Sequence, residues 1–286
     1  MGLIANILFP VDFSPSCIAM APYVKRAAIL LGAKVSLIHA VDLASYNGFE
    51  LYTRPASEIS EDQTIIARER LDLFLAHEFP LSGHPRILVA GDAATQIAEV
   101  AKSGFDLIIM PTHAGTFRRM LLGSTTAKVL NDVHCPVVTS RHAQTIAPRP
   151  LEHREWLVTI GLGEDSERVL RYAHQAAAEA RCNLHIIHAI QTADPSLPIR
   201  LDLEEEIQSE ERQEVRQRIA DLQRRVGSQA PVRIVVGPIK DALLEAARRF
   251  DADVLMIGRG PHGAQDRLRD LTYAVIRDSP FPVLSI

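Results

Sequence analysis

Apolar residues along this chain fall into two kinds of run. Short continuous stretches, Asn6–Val11, Lys34–Val41, Arg86–Ala90, Leu107–Met110 and Val137–Thr139, are rich in β-branched and aliphatic side chains. Continuous runs of that length suit parallel strands buried on both faces better than half-exposed strands, which would alternate. Between them, apolar residues return every three or four positions, as on one face of a helix. Ser14 is a good N-cap with Pro15 at the first helical position, and Ala21, Val24, Ala28 and Leu31 form a stripe that Gly32 ends. Leu170, Ala173, Ala177 and Ala180 make a second such stripe far downstream.

The downstream stripe belongs to a repeat. Ile7–Asp12 returns as Trp156–Gly161 and His39-Ala40-Val41 as His188-Ala189-Ile190, both 149 positions later. Asp106–Met110 returns as Asp253–Ile257 at an offset of 147, and Cys135–Val138 as Phe281–Leu284 at 146. One fold used twice is the simplest reading. Strands alternating with helices predict right-handed βαβ units. The expected fold is α/β: two tandem doubly wound domains, each a five-stranded parallel sheet of order 3-2-1-4-5 with helices on both faces. The expected boundaries are 1–142 and 155–286, with a linker at 143–154 where Pro148 and Pro150 break any helix. Helix starts are also expected after Gly91-Asp92 and Gly237-Pro238. A charged helix is expected over Glu204–Val226, with Ile207, Val215, Ile219 and Leu222 facing inward.

Composition narrows the function classes. The formal net charge is -4 over 286 residues, with -1 through His142 and -3 beyond it. Neither half carries the basic footprint of a nucleic-acid binder, so no nucleic-acid partner is expected. Cys17, Cys135 and Cys182 are scattered and form no CxxC pair, which argues against a zinc site and for a reducing compartment. No apolar run is long enough for a membrane span, and the N-terminus has no basic leader. A cytoplasmic protein without a membrane partner is expected.

In open parallel sheets, ligands bind beyond the carboxyl ends of the strands, where the winding reverses. With order 3-2-1-4-5 that crevice lies between strands one and four. It brings Val11, Asp12, Met110, Thr112 and His113 to its mouth. Gly123-Ser124-Thr125-Thr126 opens the next helix toward the same crevice, where free N–H groups, the helix dipole and hydroxyls suit an anion. An ordinary N-cap is the competing reading of that tetrapeptide. Asp12 is either a ligand contact or the cap of the turn at Ser14.

At these residues the chain resembles the universal stress proteins in tandem form, one copy per half. Pro10–Ser14, Leu30–Ala33, His39–Val41, and above all Leu121–Ser124 with Ala127–Leu130 and Cys135–Val137 carry the resemblance. It implies ATP or a related adenine nucleotide as ligand. Base and ribose would lie against Val11, Asp12 and Val41, with phosphates on Gly123, Ser124 and Thr125. ATP-binding members carry G-x2-G-x9-G-S/T after strand four. Here Pro111 and Ala114 stand at the two leading glycines, and eight residues separate Ala114 from Gly123. Pro111 has no N–H to donate, and the Ala114 methyl hinders close approach of a phosphate. The site is therefore expected to be partly degenerate. In the second half Gly161 replaces the aspartate and Arg269-Asp270 replaces Gly123-Ser124. That copy is expected to be scaffold, with Arg259, Arg267 and Arg269 solvated; binding of some other anion by these arginines is the competing reading.

His39 and His188 share one repeat position, which points to structure rather than catalysis. No Walker lysine, nucleophile elbow or metal-spaced cluster is present, so no enzymatic activity is expected. The expectation is a stress-response or regulatory protein with a nucleotide site in the first half only. The alternative is a scaffold of the same fold that binds an unknown protein partner and no nucleotide. Through the last strands, Pro136–Ser140 and Pro282–Ile286, the halves are expected to pair as an internal pseudo-dimer, the chain being a monomer or a homodimer of the tandem.

Overall fold

A computed structural model describes residues 2–42, 56–112, 122–140, 154–192, 199–201, 210–259 and 266–286. The chain divides into two compact units, with the division at Val137/Val138. The linker expected at 143–154 lies outside the described residues except for Arg154.

The first half runs β1 (Asn6–Pro10), α1 (Pro15–Leu31), β2 (Lys34–Val41), α2 (Ala56–Leu73), β3 (Arg86–Ala90), α3 (Ala93–Ala101), β4 (Leu107–Pro111), α4 (Ser124–Asp132) and β5 (Val137–Ser140). Strands β3-β2-β1-β4 lie side by side in that order, and each of these pairings is parallel. β4 is buried along its whole length and β1 along all but its first residue. Such burial needs helices above and below the sheet.

The second half repeats the plan with β6 (Glu155–Thr159), α5 (Ser166–Ala180), β7 (Asn183–Gln191), β8 (Arg200–Leu201), α6 (Glu210–Val226), β9 (Val232–Gly237), α7 (Ile239–Arg249), β10 (Val254–Ile257), α8 (Asp266–Asp278) and β11 (Val283–Ser285). The order β11-β10-β6-β7-β9 is again 3-2-1-4-5, read from the other side. β8 is not among the expected strands: two residues pair antiparallel with β9 at the edge. In α6, Ile219 and Leu222 are buried as expected, while Ile207 lies outside the described residues.

Matching devices hold the two copies. Ser14 Oγ accepts the Cys17 N–H at 3.4 Å and caps α1. α1 ends on Gly32 with φ 64°, the left-handed conformation that glycine adopts freely. α5 ends the same way on Arg181, φ 55°, at the same repeat position but with a side chain. At the lower end of each sheet one aspartate accepts two backbone N–H groups. Asp106 Oδ2 takes Ala5 and Asn6, both at 2.9 Å, and Asp253 Oδ2 takes Arg154 and Glu155 at 2.6 and 2.9 Å. The first strand is thereby pinned to the fourth, leaving the upper end, where the chain must turn away, as the place for a site.

Candidate functional site

At the top of β1 the chain bends sharply. Val11 N donates to Ile38 O at 2.8 Å, and Val11 O faces His39 Nδ1 at 2.8 Å. Its backbone is thus committed to the fold, and a ligand would meet mainly its side chain. Asp12 is exposed, and its Oδ1 accepts from Ser14 N at 3.0 Å and from the Cys17 thiol at 3.0 Å. Asp12 is therefore a turn cap, whatever else it contacts. The thiol is buried, and burial first, then the Asp12 charge, pushes its pKa up to about 12. Cys17 is an inert packing group rather than a nucleophile.

Phe13 follows with φ 62°, and Leu162 at the same repeat position has φ 59°. Left-handed backbone costs a side-chain-bearing residue about 1–2 kcal/mol, so both copies hold the bend against strain. In the first copy the Phe13 ring rests on His39 at 4.2 Å and on Phe74 at 5.2 Å, with the Arg70 guanidinium 4.3 Å from its centre. In the second, Arg218 donates to Leu162 O at 2.9 Å and His188 Nδ1 lies 2.7 Å from Ile160 O. A carbonyl can only accept, so Nδ1 carries the proton in both histidines and Nε2 is left as an acceptor. Burial lowers both imidazole pKa values from the usual 6.5, with Arg70 and Arg218 adding to the effect. These histidines latch the second strand to the end of the first. That supports the structural reading given by their retention in both copies.

On the other side of the crevice, Met110 and Thr112 are buried at the top of β4. Thr112 O accepts Gly123 N at 3.0 Å, and the buried Thr126 hydroxyl reaches Pro111 O at 3.3 Å. These bonds bring the start of α4 back onto the strand end. Gly123 caps α4 with no side-chain hydrogen bond, while Ser124 is exposed and Thr125 half-buried. The first turn of α4 therefore presents its N–H groups without a capping side chain. Val41 stands at the top of β2, where its carbonyl accepts Gly91 N at 2.9 Å, and it lines a recess of about 550 Å³ beside Thr64 and Leu88. His113 and Ala114 lie outside the described residues, as do Gly115, Arg118 and Arg119.

The crevice of the second half holds a cavity of about 280 Å³. Sequence reading treats this copy as scaffold, because Gly161 removes the aspartate expected beside base and ribose and Arg269-Asp270 removes the expected phosphate contacts. Gly161, which stands where the first copy has Asp12, is among the residues that wall the cavity, with Ile160, His188 and Leu243. Thr272 repeats Thr126, its hydroxyl reaching Gly258 O at 3.2 Å. Asp270 is exposed, and the side chains of Arg267 and Arg269 lie outside the described residues.

Arg70, Arg218, Thr126 and Thr272 are not singled out by motif. Each pair recurs between the halves, at offsets of 148 and 146. That repetition is the signal that could have found them. Among the described residues no group of three or more His, Cys, Asp or Glu could hold a metal ion. No described helix is long and apolar enough to cross a membrane.

The universal stress protein family model matches residues 4–141 and again 154–286. A universal stress protein of Mycobacterium tuberculosis is 24% identical over 264 residues, covering 90% of this chain and 87% of that protein. One from Methanocaldococcus jannaschii is 31% identical over 141 residues, covering 48% of this chain and 82% of its own length. The crystal structure of a universal stress protein from Archaeoglobus fulgidus superposes with a TM-score of 0.69 at 22% identity, covering 98% and 97% of the two chains, and so shares the fold. Two copies of one domain, each with the same bent strand end and histidine latch, and two successive matches to one family model lead to one conclusion: the chain belongs to the universal stress protein family, in its tandem form.

Proposed function

We propose that this protein is a nucleotide-responsive regulator that binds ATP or a related adenine nucleotide in its first half and does not turn it over. The observation that carries the reading is the start of α4, where Gly123 provides no side-chain cap and Ser124 and Thr125 follow in the first turn. Hydrogen bonds to Thr112 hold that turn at the strand end, on the side of the sheet switch where Asp12 also lies. Pro111, in place of a glycine, removes one donor, so affinity should be modest. The three cysteines are free, which fits a reducing, cytoplasmic setting. The scaffold reading draws on Asp12, whose Oδ1 already serves the turn.

Thermal unfolding separates the two. A nucleotide at about 100 times its dissociation constant stabilises the native state by about 2.7 kcal/mol, a shift of several degrees for a domain of this size. ATP, ADP, AMP and cyclic nucleotides are the ligands to screen. Gly123→Asp places a carboxylate at the helix start and should abolish the shift, and Asp12→Ala should reduce it. If no nucleotide moves the transition, the scaffold reading stands. If the shift survives both substitutions together, the nucleotide binds elsewhere.

A further inference from the structure

The second-half cavity has chemistry of its own. Its volume of about 280 Å³ is nearly twice that of a cavity of about 150 Å³ that accommodates benzene, so a fused ring with a short side chain fits. Apolar side chains from four elements, Val169, Ile187, Leu243 and Ile257, form much of its wall. Among its described lining residues there are two carboxylates, Glu164 and Asp165, and no lysine or arginine.

Asp165 is out of character for its position. It is the N-cap residue of α5, yet its side chain makes no capping hydrogen bond. Its Oδ2 is buried without a hydrogen-bond partner. Arg168 Nη2 stands 3.4 Å from that oxygen as an ion-pair neighbour, but it is half-exposed and not aligned to donate. A buried carboxylate oxygen lacking a donor is costly. His188 supplies a second acceptor: with Nδ1 on Ile160 O, the neutral ring offers Nε2. Two acceptors and an apolar wall call for a ligand with an apolar body and a donating head. A phosphate would meet the like charge of these carboxylates.

We propose that this cavity is a binding site for a small apolar amine, with the ammonium on Asp165 and the body between α5, α7 and the ends of β6 and β10. The assignment is independent of the nucleotide reading for the first half. Gly161 opens the site: a Cβ placed there meets nothing within 4 Å. A larger side chain at 161 should therefore fold normally and obstruct the cavity.

The test uses the full chain with tryptamine as probe and indole-3-acetate as its counterpart of opposite charge, followed by methyl NMR shifts. Tryptamine should bind saturably, with shifts centred on Val169, Leu243 and Ile257, and indole-3-acetate should not bind. Asp165→Asn should weaken tryptamine at least about tenfold, the scale of one lost charge-assisted hydrogen bond. Gly161→Leu should abolish the binding with the methyl spectrum otherwise intact. Excess ATP should not displace the probe. Absence of saturable tryptamine binding would overturn the proposal. So would equal affinity for indole-3-acetate, shifts centred elsewhere, displacement by ATP, or unchanged affinity in either variant. First-half nucleotide binding is read separately in the melting assay, so either reading can fail alone.

Discussion

At the end of the first strand, one side chain sets the two crevices apart. Asp12 and Gly161 share a repeat position, and around them the neighbouring chemistry is the same: a strained residue follows, and a histidine latches the carbonyl before. The histidines make this testable through pH. Their folded-state pKa values lie below the ordinary 6.5, so the unfolded chain takes up protons first as pH falls. Stability should therefore be fully present above about pH 7 and decline as pH drops through 6.5, levelling off only once the folded rings also protonate. Urea midpoints measured between about pH 7.5 and 5 should show that slope, and His39→Gln with His188→Gln should flatten it. The sequence pointed to these histidines as structural because both copies keep them. It left Asp12 open, since an aspartate after a strand serves a turn and a ligand equally well; only coordinates show Oδ1 on Ser14 and Cys17.

At the scale of elements, strand positions were legible to within a residue or two because continuous apolar runs leave little choice. Lys34–Val41 and Arg86–Ala90 fall where expected. β8 was not legible, since a two-residue pairing leaves no periodic trace. The position of the second-half cavity was equally hidden, because a void is defined by what several distant elements leave unfilled. Helix ends give a sharper experiment. Gly32 and Arg181 close α1 and α5 in the same left-handed conformation, and a Cβ at Gly32 would touch nothing within 4 Å. Gly32→Ala should thus cost about 1 kcal/mol through the backbone alone, and Arg181→Gly should gain about as much. Denaturant unfolding of the two variants checks both signs, and equal signs would show that packing rather than the cap controls these ends.

For the molecule as a whole, duplication gave each half its own core and its own crevice. Hydrogen exchange with and without ATP should slow amides around Phe13–Cys17 and the first turn of α4. The equivalent amides around Leu162–Ser166 should exchange unchanged, because no uncapped Gly-Ser-Thr turn stands opposite them. Protection confined to the second half would reverse the assignment. The weak net charge of both halves agrees with small molecules, rather than polyanions, as ligands.

Gly161 carries a consequence beyond its own copy. Its backbone is relaxed, nothing stands before it, and the bend beside it is already held by Leu162 and Arg218. Carboxylate, thiol or imidazole could be written there by a single codon without reshaping the turn. The duplicated chain thus holds an aspartate fixed in its turn in one copy and, at the matching place in the other, a position open to evolutionary or engineered reassignment.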